Sequence, residues 1–187
     1  AQLTALTALT CLNLFSTGVS DVGVAHLTSL LHLRCLNIDS RLVTDAGLFY
    51  ITSLTNLRTL DLFGAKVTRI GTACIGKLTN LTNLECCGGG ITDEAVEELR
   101  GLTNMMTLNI SQNERVGNPA LPFIVGMTNL TTLNLAGTST TSQGARFLTQ
   151  LTLLESLCIS GCRVNNAVMA TLQNMPAMVY LTAELNA

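Results

Sequence analysis

Charged residues are scarce in this chain of 187 residues, and tryptophan is absent. Asp, Glu, Lys and Arg make up 12% of the sequence, with a formal net charge of −2, whereas soluble domains carry about 25% charged residues. The few basic residues are scattered along the chain. The composition therefore indicates neither a nucleic-acid interface nor electrostatic binding to a membrane surface.

Long apolar runs are also missing, although 48% of the residues are hydrophobic. No stretch of about 18 apolar residues occurs, so we predict no membrane span. No signal-peptide pattern stands at Ala1. The chain begins without Met and inside a repeat, which we interpret as the sign of a piece cut from a longer protein.

Paired cysteine motifs are absent as well, since the seven cysteines include no CxxC pair. Free thiols of this kind act as small hydrophobes, and they favour a reducing, cytoplasmic compartment over a secreted one. Cys11 and Cys35 stand 24 residues apart and would be lateral neighbours, where a disulfide is possible but strained. Zinc binding by Cys158 and Cys162 would need two further ligands. We predict no metal site and no cofactor.

Catalytic signatures are not found in the sequence. It contains no P-loop, nucleophile elbow or zinc motif, and neither His has a readable partner. Asp21, Asp45 and Asp93 recur at the starts of short helical segments, where negative charge is favoured. We therefore predict no catalytic residues and a protein that is not an enzyme.

A repeat of 24 residues, with one copy of 25, runs through the whole sequence. A period in this range indicates a solenoid, because one unit cannot bury its apolar face alone. Residues 1–187 are thus predicted to form one domain of about seven to eight repeats. The repeats begin near residues 6, 30, 54, 78, 102, 127, 151 and 175.

Each repeat is predicted to contain a strand, a turn, a short helix and a second turn. Leu81, Leu84 and Cys86 alternate as a strand does, and Thr92-Asp93 then reads as a helix start with a Thr N-cap. The N-cap position holds Ser20, Thr44, Thr68, Thr92 and Thr141. A small residue follows three positions later, as in Gly47 and Gly71, which would let adjacent helices approach. Since strands pack more closely than helices, the array should curve with its sheet inside.

The pattern Leu-x-x-Leu-x-Leu, repeated eight times between Leu3 and Leu185, resembles leucine-rich repeat proteins. The variant is similar to the 24-residue, cysteine-containing or GALA-like type that carries Ile-Thr-Asp-x-Gly-Leu. This resemblance implies an α/β fold, a curved right-handed horseshoe like ribonuclease inhibitor, with a parallel sheet on the concave face and short α or 3₁₀ helices on the convex face. The family's usual Asn or Cys after the strand is degenerate here, at Thr17, Arg41, Ala65, Gly89, Asn113, Thr138 and Cys162.

The fifth repeat departs from the pattern. Gly117 replaces the N-cap Thr, and Pro119 and Pro122 enter the helical segment. We expect a bulged turn at Asn113, Glu114 and Arg115, followed by a poor or 3₁₀ helix. Neutral drift in a tolerant loop would explain this departure, and a protruding contact loop is the alternative.

The concave sheet face is where the resemblance implies ligand binding, and its N-terminal half carries the distinctive side chains. Aromatic side chains beside charge on a rigid face can anchor an interface, although single exposed apolar residues are also normal. The predicted binding residues are Phe15, Arg34, Asp39, Arg58, Asp61, Phe63 and Glu85. A second aromatic set on the convex side, Tyr50, Phe123 and Phe147, is better explained by helix packing.

We predict a protein–protein interaction scaffold with a protein partner and without nucleic acid. One alternative is the substrate-recognition segment of an enzyme complex such as a ubiquitin ligase, and another is a structural spacer. Apolar residues open and close the chain without a polar cap. Because capping repeats normally keep solenoids soluble, we also predict end-to-end association of this piece.

Overall fold

The computed structural model describes residues 5–38 and 40–186, and within them eight short parallel strands form one open sheet in chain order. Each strand pairs with the next in a register that follows the repeat, so that Leu36 stands opposite Leu60 and Leu60 opposite Leu84. The strands are β1 (Cys11–Asn13), β2 (Cys35–Asn37), β3 (Thr59–Asp61), β4 (Asn83–Glu85), β5 (Thr107–Asn109), β6 (Thr132–Asn134), β7 (Ser156–Cys158) and β8 (Tyr180–Thr182). The predicted strand positions are confirmed.

Short helices connect the strands on the other side of the core. They are α1 (Asp21–Ala25), α2 (Asp45–Ile51), α3 (Arg69–Ile75), α4 (Asp93–Glu97), α5 (Leu121–Val125), α6 (Ser142–Ala145) and α7 (Asn166–Leu172). In the fifth repeat a 3₁₀ segment, Asn118–Ala120, precedes α5, which confirms the expected 3₁₀ character. A second 3₁₀ segment, Arg146–Gln150, extends α6.

One continuous apolar core lies between the sheet and the helices. The central residue of each inner strand is buried, as are the framing residues from Leu30 to Met175. At the two ends the corresponding Leu12 and Leu181 are only partly buried. Each repeat, or rung, of the solenoid is therefore shielded from water by the repeats on either side, and the two end rungs lack one such neighbour within the described residues.

The acidic residues at the helix starts join consecutive repeats, a role that sequence reasoning missed. Asp21 Oδ1 accepts from the backbone N–H groups of Thr44 at 2.8 Å and Gly47 at 3.0 Å, and Oδ2 accepts from the Thr44 hydroxyl. Asp45 binds Thr68 in the same way. We call this arrangement the inter-repeat clamp. It recurs with Asp93 accepting from the Gly117 N–H and Asn118 accepting from the Thr141 N–H.

The clamp explains why a small residue stands three positions after the N-cap. A Cβ added at Gly47 would stand 2.5 Å from Oδ1 of Asp21. At Gly71 and Gly144 it would overlap the side chains of Asp45 and Asn118. Glycine is therefore required at these three positions by a side chain from the preceding repeat, and not by helix approach in general.

The N-cap prediction is only partly right. The Thr44 and Thr68 side chains accept from the N–H groups of Ala46 and Ile70, both at 3.3 Å. Ser20, Thr92 and Thr141 stand at the N-cap positions as predicted, but the expected side-chain bond is not made there. Thr92 instead hydrogen-bonds the Glu94 carboxylate and lowers its pKa. Asn165, which was not predicted, caps α7 through the Ala167 N–H at 3.0 Å.

Candidate functional site

The outward side chains of the eight strands share one side of the sheet, here called the sheet face. Asp61 and Glu85 are register partners across β3 and β4. The Asn37 amide donates to Asp61 Oδ2 at 2.7 Å, and the Asn109 amide donates to Glu85 Oε2 at 2.6 Å. Two adjacent carboxylates are thus held in a row between two amides, which fixes their positions without neutralising their charge.

Phe15 and Phe63 stand on the same face, each two residues beyond the end of a strand. Their exposed fractions are 60% and 54%. The Phe15 N–H donates to Asn13 Oδ1 at 2.8 Å, and the Phe63 N–H donates to Asp61 Oδ1 at 3.0 Å. The two positions are two strands apart, roughly 10 Å at the usual strand spacing. Both rings therefore project from a fixed backbone into solvent.

The electrostatic environment of Glu85 differs from that of an ordinary surface carboxylate. Burial raises its pKa above the usual 4.5, and the negative charge of Asp61 adds to the rise. Hydrogen bonds from Asn109 and Cys87 oppose it. Burial also raises the pKa of the Cys87 thiol to about 11, so that thiol is protonated at neutral pH and can donate to Glu85.

Arg34 and Arg58 directly precede β2 and β3, and both are exposed. Within the described ranges, the ion pairs lie on the helix side, where Arg69 meets Glu98 at 2.8 Å and Arg100 meets Glu97 at 3.1 Å. The sheet-face arginines have no such pairing there. Asp39, the remaining predicted acid, lies outside the described residues.

The fifth-repeat loop divides into an inner and an outer part. Asn113 is 1% exposed. Its Oδ1 accepts from the N–H groups of Gly90 and Ile91, both at 3.0 Å, and its amide donates to three carbonyls, those of Cys86, Ile110 and Ser111. Asn113 therefore holds the turn from inside, and the surface of the loop is formed by Glu114 and Arg115.

The loop's outer residues are also tied to neighbouring repeats. The Arg115 guanidinium donates to the Gly90 carbonyl at 2.8 Å, and the Ser139 hydroxyl donates to the Glu114 carbonyl at 2.6 Å. The side chains of Glu114 and Arg115 line a polar hollow with Ser139 and Arg163. The loop follows the solenoid edge and is held there by bonds on both sides.

The helix side carries a smaller set of exposed aromatic rings. Phe123 packs against the core, as its helical position indicated. Phe49 is 64% exposed and meets Tyr50 edge to face, with ring centroids 6.0 Å apart. Phe49 was missed by sequence reasoning, because it stands one residue outside the repeated apolar positions of α2.

A hollow of about 290 Å³ opens on the sheet face over β1, β2 and β3. Cys11 and Cys35 stand there as register partners, the first exposed and the second half-buried. The side chains that share the hollow with them are Asn13, Asn37, Thr59 and Asp61. The predicted lateral neighbours are therefore in contact distance, and both are free thiols.

Neither a metal cluster nor a membrane-spanning helix is found in the part of the chain that the structure describes. No three His, Cys, Asp or Glu side chains converge in a geometry that could hold a metal ion. None of the described helices is long and apolar enough to cross a bilayer.

Comparison with known proteins places the chain among repeat solenoids. A family model described as a leucine-rich repeat region matches residues 1–187. A search of curated protein sequences finds no match.

Solved structures share the fold at low sequence identity. Internalin C2 from Listeria monocytogenes is 21% identical, with a TM-score of 0.71 over 96% of this chain and 83% of that one. The functional domain of InlJ from Listeria monocytogenes, whose description includes a cysteine ladder, is 18% identical, with a TM-score of 0.53 over 99% of this chain and 46% of that one. The plant peptide hormone receptor RGFR1, solved with RGF2, is 16% identical, with a TM-score of 0.62 over 96% and 33%. At these identities the likeness shows the fold alone.

Proposed function

Since this chain belongs to the leucine-rich repeat family, we propose that it is a non-catalytic scaffold that binds a protein partner on the N-terminal half of its sheet face. The proposal is carried by one observation, the projection of Phe15 and Phe63 into solvent beside the paired carboxylates of Asp61 and Glu85. Arg34 and Arg58 complete the proposed site, together with Asp39, which the sequence assigns to it.

The rigidity of this face supports the proposal. The backbone amides of Phe15 and Phe63 are fixed by side-chain acceptors at the ends of β1 and β3. A partner that covers such rings loses little conformational freedom in the scaffold, which keeps the cost of association low. Interfaces commonly draw most of their binding energy from a few aromatic and Arg anchors of this kind.

The charge arrangement supports selectivity. Asp61 and Glu85 each accept from a side-chain amide and lie next to each other across two strands, so a cationic partner group would relieve the repulsion between the two carboxylates. Arg34 and Arg58 offer the opposite charge at the beginning of the neighbouring strands. Complementary charge of both signs favours one orientation of the partner over others.

Affinity capture with matched variants tests the proposal. The full chain, a Phe15→Ala/Phe63→Ala variant and a Phe49→Ala/Phe147→Ala variant are used as baits in a lysate of the source cells, with quantitative mass spectrometry. Each variant lacks two exposed rings, but from opposite sides of the molecule. We expect a protein that the wild type and the helix-side variant retain and the sheet-face variant loses.

Direct titration then tests the individual residues against that protein. Phe15→Ala and Phe63→Ala should each weaken binding at least about tenfold. The nearly isosteric pair Asp61→Asn/Glu85→Gln should weaken it mainly at low salt, because it removes charge without changing shape. Affinities unchanged by all of these substitutions would contradict a site on this face.

The other outcomes of the capture experiment separate the alternatives. A partner lost only with the helix-side variant would move the interface to the convex surface. Ubiquitin-ligase subunits retained by all three baits would favour the substrate-recognition segment. A wild-type bait that captures nothing would favour the structural spacer. The proposed second surface, Glu114 and Arg115 of the fifth-repeat loop, is tested by Glu114→Ala/Arg115→Ala in the same assay.

A further inference from the structure

Two accessible thiols lie side by side at the N-terminal end of the sheet face. Cys11 and Cys35 are register partners across the parallel strands β1 and β2. Cys35 stands between Cys11 and Thr59, its register partners on the two neighbouring strands. Both open into the hollow over β1 to β3. The pair is therefore reachable from solvent and already arranged for one ligand to contact both sulfur atoms.

The other cysteines do not offer such a pair, and all of them lie in the described ranges. Cys74, Cys86, Cys87 and Cys162 are buried. Cys158 is half-buried on the sheet face, but its register partners, Asn134 and Thr182, carry no sulfur. Cys158 therefore serves as a matched single thiol on the same surface.

Strand geometry disfavours a disulfide between Cys11 and Cys35. Neighbouring strands lie about 4.8 Å apart, and the Cβ atoms of register partners in a parallel pair keep roughly that spacing. A disulfide needs Cβ atoms about 3.8 Å apart, so the two strands would have to close by about 1 Å. A metal ion with bonds of about 2.3 Å to each thiolate spans about 4.6 Å between the sulfur atoms, which is close to the spacing of about 4.8 Å between the two strands.

The surroundings of the pair do not supply the further ligands that a four-coordinate ion requires. Asp61 lines the hollow, but its two oxygens already accept from Asn37 and from the Phe63 N–H. His32 does not line the hollow, and its Nδ1 atom lies 3.1 Å from the Thr7 carbonyl. Two thiolates without other ligands suit a soft ion of low coordination number.

We propose that Cys11 and Cys35 form a two-thiolate binding site for a soft monovalent metal ion of the Cu⁺ class. The site is a second property of this surface and does not depend on the proposed protein partner. On binding, two S–H bonds break, two Cu–S bonds form and two protons pass to solvent, without any change in oxidation state. The product carries one negative charge at the metal centre.

The groups around Cys35 shift the pKa of its thiol in opposite directions. The neighbouring Cys11 thiol and, after it, burial raise the pKa of Cys35, whereas Thr59 and then Arg34 lower it by less. The Cys35 thiol therefore holds its proton more strongly than a free cysteine does in the absence of metal. Because two protons leave on binding, affinity should rise about a hundredfold per pH unit wherever both thiols start protonated.

Titration of the full chain with Cu⁺ tests the proposal. The measurement is made in deoxygenated buffer, with bicinchoninate as the competing coloured ligand. We expect one tightly bound ion per chain, and its loss in both Cys11→Ser and Cys35→Ser. Cys158→Ser should bind as the wild type does. Circular dichroism and thermal unfolding of each variant confirm that the repeats remain folded.

Three results would overturn the proposal. Tight binding that survives either Cys11→Ser or Cys35→Ser would belong to other groups of the chain. A tenfold rather than a hundredfold rise per pH unit would mean that only one thiol is deprotonated on binding. X-ray absorption showing three or four sulfur or nitrogen neighbours around the ion would exclude two-thiolate coordination.

Discussion

Asn113 shows how a residue that attracts attention in the sequence can be structural. Its hydrogen bonds reach two N–H groups and one carbonyl of the fourth repeat and two carbonyls of the fifth. We expect Asn113→Ala to lower the free energy of unfolding by about 2–4 kcal/mol, because buried polar groups lose their partners. Urea unfolding measures the change. Glu114→Ala, one residue away and exposed, should stay within about 0.5 kcal/mol, and equal losses for the two variants would refute the assignment.

Glu85 should make stability depend on pH in a predictable direction. Its folded-state pKa is raised, chiefly by burial, so the ionised form costs free energy relative to the unfolded chain. That cost appears as pH rises from the ordinary value of 4.5 to the raised value, and it is constant above. Glu85→Gln should therefore stabilise the protein at neutral pH, and the gain should vanish as pH falls below about 4.5. Denaturant unfolding at several pH values tests this, with the exposed Glu184→Gln as the control. A gain that is unchanged at low pH would show that charge is not its cause.

At the residue level, the sequence predicts which side chains face outward but not what they contact. The strand alternation placed Phe15, Phe63 and Glu85 on the surface, and the structure has them there. Periodicity does not show which side chains bond across repeats, because these bonds join residues 21 to 29 positions apart. The amide partners of Asp61 and Glu85, and the burial of Asn113, follow from that stacking and were not predicted.

At the level of the helices, the inter-repeat clamp links the start of one helix to the start of the next. It is missing between the third and fourth repeats, where Arg69 occupies the position held by Asp21 and Asp45. The small-residue position that follows holds Ala95, whereas a Cβ at the matching Gly47 and Gly71 would overlap the clamp side chain. The fourth helix, α4, accordingly begins without a side-chain cap or clamp bond in the described structure.

Introducing a clamp between the third and fourth repeats should therefore require two substitutions, one at Arg69 and one at Ala95. We expect Arg69→Asn/Ala95→Gly to be more stable than Arg69→Ala/Ala95→Gly by about 1 kcal/mol, since an Asn side chain can accept from the Thr92 N–H as Asn118 does from Thr141. Both variants lose the same exposed ion pair with Glu98, which contributes little. Urea unfolding gives the difference. If the two double variants have equal stability, the clamp does not contribute at this junction.

The elements themselves were predictable because the repeat states the same pattern eight times. Strands, short helices and the 3₁₀ segment of the fifth repeat all follow from alternation, apolar spacing and Pro119. The side-chain caps were less predictable, since a Thr hydroxyl can either accept from a helix N–H or donate to a neighbouring carboxylate. Thr92 binds Glu94 for that reason, and only the three-dimensional arrangement shows it.

For the whole molecule, the two ends of the solenoid differ from its middle. Inner rungs are sealed by neighbours on both sides, whereas Val179 is 65% exposed, Tyr180 68% and Leu6 50%. The edge strands β1 and β8 also present backbone groups that inner strands use for pairing. In every inner junction, the residue after a strand donates its N–H to the next strand, as Ile159 does to Thr182 at 2.8 Å. The equivalent outward donor at the last strand is Ala183.

We propose that two copies of the chain associate end to end by continuing this pattern, with the Ala183 N–H of one copy meeting β1 of the other. Ala183→Pro should abolish the association, because proline removes that donor while the bonds between β7 and β8 do not use it. Light scattering over a range of concentrations measures the mass. We expect concentration-dependent dimers and longer head-to-tail chains for the wild type and for Phe49→Ala, whose substitution lies on the helix side and not on an edge strand, and monomers for Ala183→Pro. A wild-type chain that remains monomeric at high concentration would show that the exposed end rungs are tolerated in water. Dimers that persist in Ala183→Pro would place the contact on another surface, and the sheet-face aromatic rings would be examined next.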